Sequence, residues 1–312
     1  MRLKKIIMPL AAALGLAASA AESVDWRVVA AEQATKSLVM LSGAPGAPAV
    51  IDWRWDPRLD PNVGPGRADA FSEIDECKVK DDGRTVLVNA SNGGVAAIDV
   101  ATRRAKWFCR VPEHCAGPHS VDLLPDGCAA VANSTGVDAL QIIDFAAHPF
   151  ESEKQTVRNV LPLAGAHGVW WDAARRSIFA LGYTNLFELA YEPADKSVRV
   201  LNRWDYSGVT GEWHGHDLVQ DGFGGYYLTH HDGVWHFDPK TETFASVMKR
   251  ANVKGYSRDA VKGDLFTTPL ERWWTDRITV VGTNGVERTV GPFPGAKFYK
   301  ARWYAARPPK LR

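Results

Sequence analysis

The sequence is poor in several features that would fix a function at once. It has only four cysteines, Cys77, Cys109, Cys115 and Cys128, and no two of them have C-x-x-C spacing. That argues against zinc–thiolate and dithiol redox frameworks. G-x-S-x-G, H-E-x-x-H, Walker and G-x-G-x-x-G elements do not occur, which removes the usual signatures of serine hydrolases, zincins and nucleotide enzymes. Neither sign of charge is in excess: the formal net charge is +1, and Lys/Arg alternates with Asp/Glu throughout. A nucleic-acid backbone would find no basic face here. The amino-terminal apolar run, Ile6–Ala18, is too short to span a bilayer, so no membrane anchor is expected.

That run has a different meaning. Arg2, Lys4 and Lys5 precede it, and Ala18-Ser19-Ala20 follows as a small-x-small cleavage signal before Ala21. Residues 1–20 read as a signal peptide, and residues 21–312 as the mature domain. No cysteine stands at the cleavage point, so no lipid anchor is implied. The protein is expected to be periplasmic or secreted. Disulfides persist in that compartment, and Cys109 with Cys115 is the first of three possible pairings.

What is abundant is punctuation: 27 glycines and 18 prolines. Short β-branched or aromatic runs lie between Gly/Asp/Asn turns, which excludes a helical reading. The runs recur. Gly117-Pro118-His119-Ser120-Val121 is echoed by Gly165-Ala166-His167-Gly168-Val169 and by Trp213-His214-Gly215-His216-Asp217. Four strands, a to d, follow each start. Further copies begin at Glu76 and, less regularly, at Tyr256, with a spacing suited to propeller blades. Arg27–Ala31, Ser37–Leu41 and Val50–Trp55 supply strands b, c and d of a last blade. Phe298–Tyr304 supplies its strand a. The fold class is therefore all-β: a six-bladed β-propeller of four-stranded antiparallel blades, closed by pairing the C-terminal strand with the N-terminal blade, which removes the exposed sheet edge.

In a propeller, the starts of all a strands and all b–c turns share one face. His119, His167 and His216 would converge there as ligands of a divalent metal (Mn, Zn, Fe or Ca). Tyr256, His214, Arg258 and Lys300 are the candidate catalytic groups. Glu76, His231, Tyr183 and Asn133 are the candidate substrate contacts. Imidazoles repeated at blade starts also serve as architecture, and Arg258 and Lys300 would equally suit salt bridges. The 12 tryptophans fit stacking on sugars and packing between blades alike.

The starts Glu76-Cys77-Lys78, Pro118-His119-Ser120-Val121 and Gly165-Ala166-His167-Gly168-Val169-Trp170-Trp171, with the ending Phe298-Tyr299-Lys300-Ala301-Arg302-Trp303, resemble a family of exported bacterial six-bladed propellers of uncharacterised activity. The resemblance covers the whole mature chain and implies the fold. The histidine ring is also similar to that of propeller polysaccharide lyases acting on oligogalacturonate or ulvan. That similarity implies metal ligation by His119, His167 and His216, with Arg258 or Lys300 pairing a uronate carboxylate. Those enzymes have seven blades, and their base motif has no match here.

The expected function is thus an exported carbohydrate-active enzyme taking a small anionic saccharide, as a metal-assisted lyase. The competing readings are a non-catalytic saccharide- or protein-binding propeller, a glycoside hydrolase using two of Glu73, Asp75, Glu76 and Glu212, and a lactonase-type propeller. Oligomeric state is not legible in the sequence.

Overall fold

The computed structural model describes residues 26–44, 47–80, 83–113, 117–210 and 214–304. The leader pattern of residues 1–20, Cys115 and Glu212 lie outside them. Six four-stranded antiparallel sheets stand in a ring. The first blade is β1 (Trp26–Glu32), β2 (Ser37–Gly43) and β3 (Val50–Trp55), completed by β24 (Phe298–Trp303). The second is β4 (Ile74–Lys80), β5 (Thr85–Ala90), β6 (Gly94–Asp99) and β7 (Arg104–Arg110). The third is β8 (Pro118–Leu123), β9 (Cys128–Asn133), β10 (Ala139–Asp144) and β11 (Thr156–Pro162). The fourth is β12 (Gly168–Asp172), β13 (Ser177–Leu181), β14 (Asn185–Glu192) and β15 (Ser197–Asp205). The fifth is β16 (Asp217–Gln220), β17 (Tyr226–His230), β18 (Gly233–Asp238) and β19 (Thr243–Lys249). The sixth is β20 (Gly255–Asp259), β21 (Gly263–Thr267), β22 (Ile278–Val281) and β23 (Glu287–Val290). The innermost strands touch in the closed order β24, β4, β8, β12, β16, β20 and back to β24.

The residue pattern explains the layering. Strand b of the second blade, Thr-Val-Leu-Val-Asn-Ala, is buried along its whole length, because both of its faces meet a neighbouring blade. The outermost strand of the fourth blade, β15, is almost wholly exposed. The apolar core is divided into six clusters, one at each seam between blades. Trp53, Trp55, Phe71 and Phe108 fill the seam between the first and second blades. Phe179 and Tyr226, stacked at 4.1 Å, join the fourth to the fifth. Burying such rings contributes about 2 kcal/mol each, so each seam is a substantial hydrophobic contact.

The cysteines belong to these seams. Cys77, Cys109 and Cys128 are buried free thiols, so no disulfide occurs among the described residues. This corrects the expected bridge at Cys109: its side chain packs with Leu87, Val95 and Val121 in an apolar cluster. Burial pushes the Cys77 and Cys109 thiols up to about 12, which keeps them protonated and unreactive.

Candidate functional site

Each blade places one ionisable side chain at the same level, where its inner strand begins. In blade order from the second they are Asp75, His119, His167, His216, Lys254 and, from the first blade, Tyr299. Two local devices put them there. His167, His216 and Lys254 directly precede β12, β16 and β20. The backbone N–H of each donates to a carbonyl at the end of the adjoining b strand: Leu181, Thr229 and Thr267 at 2.9–3.0 Å. In β4, β8 and β24 the register slips at the same end of the strand. Asp75 and His119 are the extra residues of bulges in β4 and β8. A bulge re-aims side chains, so Asp75 and His119 stay at the mouth while Glu76 and Ser120 turn into the channel.

Below the mouth, the channel is filled by charge. The Arg302 guanidinium donates to Asp217 Oδ1 and Oδ2 at 2.7 and 2.9 Å and to Glu76 Oε1 at 2.7 and 3.0 Å. Lys300 Nζ lies 3.3 Å from Asp217 and 3.6 Å from Glu76, and donates to the His119 carbonyl at 3.0 Å. Farther along the axis, Lys78 donates to the Val121 and Val169 carbonyls at 2.8 and 2.6 Å, and Lys80 pairs with Asp122 at 2.8 Å. Burial alone would raise the Glu76 and Asp217 carboxyls, but Arg302 and then Lys300 hold both below the usual range. These charges close the axis.

Several expected site residues are therefore reassigned. Lys300 and Glu76 are fully buried members of the axial network, where their charges are neutralised by each other, Asp217 and Arg302. Tyr256 is buried in the seam with the fifth blade, its hydroxyl donating to Asp264 at 2.7 Å. Arg258 lies on the same seam, 3.5 Å from Asp264 and over the Tyr227 ring. Asn133 is buried within its own blade and donates to Gln141 at 3.0 Å. None of these five lines the mouth, because alternation along a strand points them sideways or inward.

The imidazoles do converge. Ring centroids are 4.4 Å apart for His119 and His167, and 5.4 Å for His167 and His216. His231 lies 5.2 Å from His216, and His214 lies 4.8 Å from His231. Tyr183 is 4.5 Å from His214 and 6.2 Å from His167. Gly165 is required here: it has φ +60°, and a Cβ would stand 2.1 Å from the Tyr183 ring.

Hydrogen bonds fix the tautomers. His119 Nδ1 is 2.7 Å from the Gly117 carbonyl, and His167 Nδ1 is 2.8 Å from that of Gly165. A carbonyl only accepts, so each Nδ1 carries the proton and each Nε2 holds a lone pair. His216 Nε2 lies 2.8 Å from Lys254 Nζ, which the sequence reading did not single out. The ammonium donates to that nitrogen, and His216 Nδ1 is left buried without a partner. Burial lowers all three imidazoles, His119 to about 4; Lys254 adds to the effect at each, Lys300 at His119 and His167, and neighbouring imidazoles at His167 and His216. Lys254 itself is lowered to about 8 by burial and by Lys300. Asp75, which accepts from Ser91 at 2.6 Å and Gln33 at 3.1 Å, is raised to about 7 by burial. Burial thus disfavours the charged forms of Asp75, His119, His167, His216 and Lys254 alike.

This arrangement does not suit a metal. Among the described residues, no group of three or more His, Cys, Asp or Glu side chains is placed to hold a metal ion. The lone pair of His216, the third expected ligand, already faces the Lys254 ammonium, so a divalent cation at the three rings would stand against that positive charge. The expected ligation by His119, His167 and His216 is corrected accordingly.

The fold is widely shared. A chain of a nidogen/laminin complex superposes with a TM-score of 0.62 at 11% identity, over 91% of this chain and 100% of its own. The Cps50 (Swd1) β-propeller domain of Myceliophteria thermophila gives 0.54 at 11% identity, over 89% and 88%. At these identities the likeness is one of architecture only. No curated protein sequence matches the chain. Residues 19–307 match DUF6528, a family of unknown function, and the chain belongs to that family.

Proposed function

We propose that the mouth is an active site that moves a proton on a small carboxylate-bearing saccharide, and that the reaction is a β-elimination. The observation that carries this reading is the Lys254–His216 contact beside two imidazoles whose Nε2 atoms hold lone pairs. A carboxylate entering the mouth pairs with the Lys254 ammonium. That withdraws electron density from the carbon next to the carboxylate and lowers the barrier to losing its proton. His167, central among the three rings, takes that proton on Nε2. The C–H electron pair becomes the C4–C5 double bond, the glycosidic C4–O bond breaks, and the leaving oxygen takes a proton from water. The bound carboxylate also raises the imidazole pKa values from their depressed level, so the base strengthens when substrate arrives.

The paired-carboxylate requirement of hydrolysis is less well served. Glu76 is engaged in the axial network, and Asp75 is buried between Ser91 and Gln33. The leader pattern in residues 1–20 supports a substrate met outside the cytoplasm.

The test is incubation of the purified protein with uronate-containing saccharides, following ultraviolet absorbance of the unsaturated product. Turnover is expected. His167→Gln should lower kcat by about 100-fold or more, the usual contribution of a positioned base. Lys254→Gln should raise KM as well as lower kcat. Saccharide binding without product would make the mouth a receptor, and turnover unchanged in His167→Gln would remove the proposed base.

A further inference from the structure

Resting on that reading, we infer that the substrate is an oligomer of acidic sugars, and that the b–c connection of the sixth blade holds its second ring. This connection, residues 268–277, is the longest of the six. It lies on the face of the mouth, leaving Thr267 where the Lys254 backbone is tied, and crosses to the first blade. There Thr275 and Phe298 exchange backbone hydrogen bonds of 2.8 and 3.0 Å, one residue before Tyr299. Between these anchors it exposes Leu270 and Trp273, at 62% and 40%.

Trp273 is held rather than loose. It meets Trp274 edge to face at 5.0 Å, and the Arg272 guanidinium lies 5.9 Å from both rings. Lys297 Nζ sits 4.3 Å from the centre of the Trp274 ring. Neither Arg272 nor Lys297 makes an ion pair among the described residues. The nearby Arg277 is different: its charge is answered by Asp276 at 2.7 Å. An exposed indole beside the Arg272 cation, with the Lys297 cation on the adjoining Trp274 ring, suits a pyranose bearing a carboxylate, with the sugar C–H face on Trp273 and the anion at Arg272 or Lys297. Continuity with Lys254 chooses this occupant over a protein: the platform leaves Thr267, whose carbonyl accepts from the Lys254 N–H, and is tied to Phe298 beside Tyr299, so a chain of sugars can follow it from the mouth.

The experiment measures affinity for matched mono- and tetrasaccharides of galacturonate, glucuronate and mannuronate by calorimetry, without following turnover. For at least one series, the wild type should bind the tetrasaccharide tenfold or more tightly than the monosaccharide. That ratio should collapse toward one in Trp273→Ala and in the double variant Arg272→Gln/Lys297→Gln, with monosaccharide affinity unchanged. A ratio near one in the wild type, or a ratio that survives both variants, overturns the platform. The mouth reading has its own readout, since Lys254→Gln should abolish monosaccharide binding. Tetrasaccharide bound through Trp273 with no monosaccharide affinity would leave the platform standing and sink the mouth. No binding in any series overturns both.

Discussion

Replacing Arg302 with methionine tests the axial network directly. Arg302 is 5% exposed and donates to both Glu76 and Asp217, while Lys300 supplies the second positive charge. In the wild type these four charges balance. In Arg302→Met two buried carboxylates share one ammonium. Removing one partner from a buried ion network costs about 3–5 kcal/mol, and because Lys300 remains, about 3 kcal/mol is expected at pH 7. For a domain of this size that is about 5 °C in Tm. The pH dependence has a definite sign. With Arg302 present, the carboxyls are depressed, so their contribution is complete above the unfolded value near 4 and is lost only as pH falls through the still lower folded values. It is therefore constant between pH 7 and 5. In the variant, burial dominates and raises at least one carboxyl above its unfolded value. The folded state then binds the extra proton, and stability rises as pH falls. Urea denaturation at both pH values should show the deficit shrinking on acidification, and Glu76→Gln added to Arg302→Met should recover about 1 kcal/mol or more. A deficit below about 1 kcal/mol at pH 7, or one that grows toward pH 5, would refute the argument.

Three further outcomes follow from the mouth. His119 is neutral when folded, with a value near 4, and titrates near 6.5 when unfolded, so it erodes stability as pH falls below 6.5; His119→Gln should reduce the loss between pH 7 and 5 by about 2 kcal/mol, measured by denaturant titration at each pH. Lys254 should titrate near 8 by NMR of the isotopically dimethylated amine, well below the surface lysines, and a bound carboxylate should move it upward. Gly165→Ala should destabilise by about 2 kcal/mol or more in thermal unfolding, since the new Cβ meets Tyr183 in a backbone region that disfavours alanine.

The blade repeat was legible because it is written locally: alternating apolar runs, turn residues and a histidine at the start of three of the inner strands. The closure of the ring by Phe298–Trp303 could also be read, since the chain begins with three strands of a blade and ends with one. The mouth was half legible. His119, His167, His216, His214, His231 and Tyr183 gather as the repeat implies. The errors come from single-residue register. A bulge at Asp75 sends Glu76 down the axis, and the slip between β24 and β1 leaves Lys300 below the mouth. In a strand, one residue exchanges the two faces. In the sixth blade the sequence repeat reads as beginning at Tyr256, two residues late. The signal for the correct start was present: Lys254-Gly255-Tyr256 matches His167-Gly168-Val169, with glycine where neighbouring inner strands crowd together. A Cβ on Gly255 would meet Lys300 at 3.1 Å, and one on Gly168 would meet Leu218 at 2.6 Å. The axial network had no local signature, because Arg302, Asp217 and Glu76 are separated by 85 and 226 residues and meet only when the ring closes.

The strand that completes the first blade also carries Lys300 and Arg302. Without Phe298–Trp303, β1 has a bare edge, and Glu76 and Asp217 lack the cations of Lys300 and Arg302. The ring therefore cannot reach its stable state before this strand is made, however complete the five other blades are.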